Sequence, residues 1–65
     1  MKLTRPQRQA LHRVYLRVVE AQKPSARKAS YLAFRRKVVP YDAHCVLVPF
    51  AGMWLGIEAD GYTHS

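Results

Sequence analysis

A chain of 65 residues makes one small domain at most, and at that length only about 60% of the unfolded surface is buried on folding. Its lone cysteine, Cys45, excludes an intramolecular disulfide and points to a reducing compartment; no Cys/His group has zinc spacing, so neither metal nor cofactor is expected. All 11 Lys and Arg fall within residues 1–37, where Glu20 is the one acid, a balance of +10; residues 40–65 carry Asp42, Glu58 and Asp60 against no base, −3.

That polarity divides the chain into a basic half, 1–39, and an acidic and apolar half, 40–65. A basic excess on one part of a small protein is the footprint expected for a polyanionic partner. No apolar run approaches the ~20 residues that span a bilayer, and the opening MKLTRPQRQ lacks a signal-peptide core, so no membrane partner is expected.

Taken in order, Thr4-Arg5-Pro6-Gln7 reads as a helix start. Thr4 can cap, Pro6 sits in the first turn where a missing N–H costs little, and Gln7 occupies the capping-box position. Leu11, Val14, Tyr15 and Val18 then recur at helical spacing and form the face that docks on the rest of the fold. Arg13, Arg17 and Glu20 lie opposite, Arg5, Arg8 and His12 run along one flank, and Leu16 stands on the polar side with no core role. The helix should end near Gln22, because Lys23-Pro24 disfavours continuation.

The stretch KPSARKA, residues 23–29, is a basic connector. A second helix starts at either Ser25 or Ser30, both adequate caps, and ends by Val39 before Pro40. Tyr31, Phe34 and Val38 share its inward face; Lys28, Leu32, Arg35 and Arg36 form the opposite stripe, with Lys37 beside it.

Cys45 to His64 carries no Lys or Arg and holds most of the large apolar side chains. Phe50-Ala51-Gly52 and Ala59-Asp60-Gly61 read as three-residue links with Gly in the left-handed third place, which predicts a three-stranded antiparallel meander. In that register Val48 faces Trp54, Leu47 faces Leu55 and Cys45 faces Ile57; in the second hairpin Glu58 faces Tyr62 and Ile57 faces Thr63. Cys45, Leu47, Met53, Leu55 and Ile57 then form the core face, and Val46, Val48, Trp54, Glu58, Tyr62 and His64 the open one. The expected fold is α+β, two N-terminal helices packed on one face of the meander.

Nothing here is a catalytic signature, and a non-enzyme is expected. Asp42, His44 and Cys45 cluster in sequence, but alternation sends His44 and Cys45 to opposite sides of a strand, so Cys45 reads as a small buried hydrophobe. Acids are too few for a paired-carboxylate site. The basic residues Arg13, Arg17, Lys28, Arg35, Arg36 and Lys37 are the candidates for nucleic-acid contact, limited to non-specific backbone binding because the second helix offers no Asn or Gln for base edges.

The closing GMWLGIEADGYTHS, together with SYLAFRR earlier, resembles short, functionally unassigned proteins encoded in tailed-bacteriophage genomes, in which a helix-forming half precedes a Gly-Met-Trp-Leu-Gly-Ile-Glu-x-Asp-Gly-Tyr tail. The resemblance covers the last fourteen residues closely, helix one thinly and the connector not at all. It implies a phage-encoded protein of the host cytoplasm and brings no activity with it.

Two functions follow as expectations. One is a small accessory protein that binds nucleic-acid backbone through its basic helices. The alternative is a protein-binding module, a host-directed modulator or a particle component, using Leu16 and the Val48, Trp54 and Tyr62 face, which a second copy or a partner protein would cover.

Overall fold

The computed structural model describes residues 2–22 and 30–65. The chain is α+β: a long N-terminal helix, a short second helix and a four-stranded antiparallel sheet in the order β1-β2-β3-β4. Helix α1 spans Arg5–Ala21 and α2 Tyr31–Arg35; the strands are β1 Val39–Pro40, β2 Cys45–Phe50, β3 Met53–Glu58 and β4 Thr63–His64.

The start of α1 forms as its sequence dictates. The Thr4 side chain accepts from the Gln7 N–H at 3.2 Å, and the Gln7 side chain accepts from the Thr4 N–H at 2.9 Å. The same two residues dock the helix on the sheet: Thr4 Oγ1 donates to the Ala59 carbonyl at 2.6 Å and Gln7 Nε2 to the Ile57 carbonyl at 3.2 Å. Gln7 is therefore buried without cost in lost hydrogen bonds. Leu11 and Val14 are buried and Tyr15 and Val18 pack against the core, as the helical spacing predicts.

Helix α2 is shorter than expected. It begins behind Ser30, whose Oγ accepts from the Ala33 N–H at 3.1 Å, and it stops at Arg35 rather than near Val39. Lys37 and Val38 donate back three residues, to the carbonyls of Phe34 and Arg35, which tightens the last turn. That frees Val39-Pro40 to pair with Leu47 and Val46 as a fourth, edge strand. Pro40 is tolerated there because an edge position needs fewer ladder donors. The other expected start, Ser25, and the contact residue Lys28 lie outside the described residues.

The second hairpin has the register read from sequence: Ile57 pairs with Thr63, and Glu58 N–H donates to the Tyr62 carbonyl at 2.8 Å. The first hairpin does not. Its loop is two residues, Ala51 at φ 53° and Gly52 at φ 77°, and Phe50 pairs with Met53, Val48 with Leu55, Val46 with Ile57 and Cys45 with Glu58. Two positive φ values make a primed turn, whose twist suits the flanking strands even though Ala is a poor residue for it.

A one-residue slip turns every side chain of a strand to the other face. Val46, Val48 and Phe50 therefore face the helices with Leu55 and Ile57, and Val48 is 0% exposed. This corrects the placement of Val46 and Val48 on an open face, and it removes Val48 from any interface with a partner. Cys45 and Leu47 take the opposite side, and Met53 is exposed at the end of β3. The slip is favoured because Val46, Val48 and Phe50 offer the core more apolar volume than Cys45 and Leu47.

Candidate functional site

Among the described residues, six arginines of the helical half border three separate hollows. Arg5, Arg8, Gln9, His12 and Tyr31 line a shallow groove of about 460 Å³ where α2 meets the first turns of α1. Arg35 and Arg36 flank a second hollow with Leu3, Leu32 and Val38. Arg13 and Arg17 border the cleft between α1 and the sheet, beside Phe50, Leu55 and Thr63, so they do not point directly away from the sheet. Lys37 is exposed in the turn after α2. Of the described residues expected to make one basic patch, Arg13 and Arg17 are thus parted from Arg35 and Arg36, and the most coherent set is the flank of Arg5, Arg8 and His12.

That flank is built from the helix period. Residues 5, 8 and 12 recur on adjacent turns over about 10 Å of helix. Arg8 is anchored: its Nη1 donates to the Leu3 carbonyl at 2.9 Å, which leaves other guanidinium donors for a ligand. The groove wall is aromatic, with the His12 and Tyr31 rings 5.4 Å apart, Tyr31 edge-on to Tyr15 at 5.5 Å, and Tyr15 5.8 Å from Phe34. These rings clamp α2 on α1 and set Tyr31 beside the arginines. The first turn of α1 carries no acid, although an acid there would favour the helix. Arg5 and Arg8 instead add their charge to the positive end of the helix dipole, a placement that suits an anion more than it suits the helix.

The open face of the sheet has a different character. The helices cover one face only, and Trp54 on the other is 53% exposed. Pro49 is its cross-strand neighbour, with Leu47 and Val39 paired one step along. Tyr62 is exposed too, its ring stacked on His64 at 6.0 Å. The expectation of an exposed Trp54 and Tyr62 agrees with this arrangement, and Leu16 is exposed on α1.

On the same face the corrected register assembles a group that the sequence reading kept apart. Cys45 stands directly opposite Glu58, and His64 opposite Gly56. His64 Nε2 lies 2.8 Å from Glu58 Oε2 and 4.0 Å from Cys45 Sγ. The His64 hydrogen bond holds the Glu58 carboxyl below its ordinary range, with the Cys45 thiol as a second donor. Burial, and then the Glu58 carboxylate, push the Cys45 thiol up. Such a thiol is a poor nucleophile, because the nitrogen that could act as its base is already held by the carboxylate. The sequence signal for this group was the alternation 56, 58 on β3 with 64 on β4, once Cys45 is set opposite Glu58.

No family model, no curated protein and no solved structure matches this chain. Among the described residues no helix is long and apolar enough to cross a membrane.

Proposed function

We propose that this chain is a small, non-enzymatic accessory protein that binds nucleic-acid backbone through its helical half, in the host cytoplasm of a tailed phage. The observation that carries the reading is the groove in which Arg5, Arg8 and His12 stand beside Tyr31, on the half of the chain with a +10 balance. Guanidinium forks suit phosphate oxygens, and an adjacent aromatic ring suits the face of an unstacked base. The contact is read as non-specific, with Arg5 and Arg8 on phosphate oxygens and the Tyr31 ring against the face of a base rather than its edge. The phage setting rests on the likeness of the closing fourteen residues.

The test is fluorescence anisotropy with single-stranded and duplex oligonucleotides over a salt series. Binding should weaken steeply with salt, each neutralised phosphate adding about 0.7–0.9 to the log–log slope. Arg5→Gln with Arg8→Gln should flatten that slope more than the triple change of Arg35, Arg36 and Lys37 to Ala. No binding at the lowest salt refutes the reading.

A second reading has its own observation. Val39, Leu47, Pro49 and Trp54 lie together on a sheet face opposite the helices, which no layer covers among the described residues, and Trp is a usual anchor of protein interfaces. A protein-binding module would use this face and be indifferent to the arginine changes, so Trp54→Ala and Arg5→Gln/Arg8→Gln separate the two.

A further inference from the structure

We infer that Cys45, Glu58 and His64 form a binding site for a zinc-class divalent ion on the open face of the sheet. Among the described residues these three bring one thiol, one carboxylate oxygen and one imidazole nitrogen within 4.8 Å of one another. The set is specific in chemistry. Thiolate with imidazole selects zinc-like ions over magnesium and calcium, which take oxygen ligands.

The distances are close to what such an ion requires. Bond lengths of about 2.3 Å to sulfur and 2.0–2.1 Å to nitrogen or oxygen, set at tetrahedral angles, put S and N about 3.6 Å apart and N and O about 3.3 Å apart. Here Sγ and Nε2 are 4.0 Å apart and Nε2 and Oε2 are 2.8 Å apart. The Sγ–Nε2 and Nε2–Oε2 edges need shifts of about half an ångström, and the Glu58 carboxylate, which like the rest of the group lies within 4.8 Å of the other ligand atoms, closes on the sulfur by up to about 1 Å through side-chain rotation. On binding, the ion displaces two protons: the thiol proton passes to solvent, and the proton that Nε2 shares with Glu58 leaves that nitrogen, for Nδ1 in the neutral imidazole or for solvent from the imidazolium, so that Nε2 and the carboxylate both turn to the ion. Three protein ligands leave a fourth position, and the exposure of His64 and Glu58 puts it in reach of water.

Gly56 is an independent observation that points to the same place. A Cβ at this position would stand 2.8 Å from His64 Cε1, 3.0 Å from its Nε2 and 3.3 Å from Cys45 Sγ. The missing side chain is therefore the space into which the imidazole folds, across β3, to reach Cys45. Gly56 has no positive φ, so its backbone conformation does not demand glycine. The space above it does. Cys45 comes from β2, Glu58 from β3 and His64 from β4, so one ion would fasten three strands, including a β4 of only two residues. A 65-residue chain with no disulfide gains more from such a fastening than a larger domain would.

The experiment is a Co²⁺ titration of the full chain after chelator treatment, read by absorbance, with Zn²⁺ added in competition. The expected result is one ion per chain, a sulfur-to-cobalt charge-transfer band, displacement by Zn²⁺, and loss of the band in Cys45→Ser and His64→Ala. Gly56→Ala should keep its circular dichroism and lose at least tenfold in Co²⁺ affinity, because the new methyl occupies the place of the imidazole. Zn²⁺ at a hundred times its Kd should raise Tm by roughly 20 °C in the parent chain and not in His64→Ala. Absence of the band in the folded parent chain, its persistence in Cys45→Ser, or a stoichiometry of two chains per ion overturns the site. Each of these outcomes is independent of nucleic-acid binding.

Discussion

Gly61 is the residue at which the helix start, the second hairpin and the core meet, and replacing it by alanine tests all three. Its φ is +91°, and a Cβ there would lie 3.0 Å from the Pro6 carbonyl oxygen and 3.1 Å from Pro6 Cβ. The left-handed conformation costs an alanine about 1–2 kcal/mol. The contact adds to it, because Pro6 is backbone in the first turn of α1 and cannot swing aside. Relief requires α1 to lift from the β3–β4 link, which loosens the Thr4–Ala59 and Gln7–Ile57 hydrogen bonds at 2.6 and 3.2 Å. Each is worth about 1 kcal/mol, so Gly61→Ala should cost about 3 kcal/mol. A 65-residue domain has only about 3–10 kcal/mol in all, and the variant should be close to unfolded at 37 °C. Gly52 supplies the contrast: its φ is +77° but nothing lies within 4 Å of its Cβ position, so Gly52→Ala should cost strain alone, about 1–2 kcal/mol. Gly56→Ala meets mainly a side chain, His64, and should change stability by less than ~0.5 kcal/mol. Urea melts followed by far-ultraviolet circular dichroism rank the three. Equal sensitivity at Gly61 and Gly52 would refute the docking of α1 on the β3–β4 link, and greatest sensitivity at Gly56 would refute both turns.

Ala51 holds φ 53° in the first hairpin, so Ala51→Asn should stabilise by about 1 kcal/mol, and a lower Tm would show that the loop is not a primed two-residue turn. Gln7→Glu, favourable at an ordinary helix start, should here destabilise by about 2 kcal/mol because the Ile57 carbonyl loses its donor; a stabilised variant in thermal melts excludes that contact. In metal-free protein the raised Cys45 thiol stays neutral in the fold at pH values where the unfolded thiol ionises, so its contribution to stability is complete below the unfolded pKa and is lost as pH rises through the folded one. A thiol reagent at about pH 9 should label the native chain at least tenfold more slowly than the urea-unfolded chain, and equal rates would contradict the burial of Cys45. Trp54 should show red-shifted, quencher-accessible emission in the dilute protein, with Trp54→Ala costing less than ~1 kcal/mol in the urea melt; a blue-shifted, unquenched Trp54 would turn the sheet inside out.

What was legible in the sequence is what short-range physics decides. The capping box at Thr4 and Gln7 uses atoms three residues apart, and it is present as written. The β3–β4 link depends on Gly61 alone for its left-handed residue, so its register could be read from one glycine. The charge division between the halves needs no structure. What sequence could not give was which cations share a hollow. Arg5, Arg8 and His12 join Tyr31 only because α2 crosses the start of α1, and the approach of two helices is a long-range property.

The first hairpin shows how one local decision propagates to chemistry. Phe50-Ala51-Gly52 admits a three-residue loop with strain at Gly52 alone, or a two-residue loop that also strains Ala51. Local preference favours the first by the 1–2 kcal/mol that alanine pays at positive φ. Burial decides for the second. With Val46 and Val48 inward, two fully or nearly buried valines and a partly buried Phe50 face the helices, while Cys45 stays buried on the other side of the sheet and Leu47 gives up only part of its burial, a gain of roughly 2 kcal/mol or more at about 0.8 kcal/mol per buried methylene. The two effects are similar in size, so turn chemistry alone could not settle the register. Its consequence is not small. In one register Cys45 is a core residue opposite Ile57, and in the other it stands opposite Glu58 with the His64 ring folded over Gly56 beside it. A thiol, a carboxylate and an imidazole therefore come together as a result of packing on the far side of the sheet. Ala51→Asn, which favours the two-residue turn, should accordingly preserve or tighten Co²⁺ binding at Cys45 although residue 51 lies at the other end of β2.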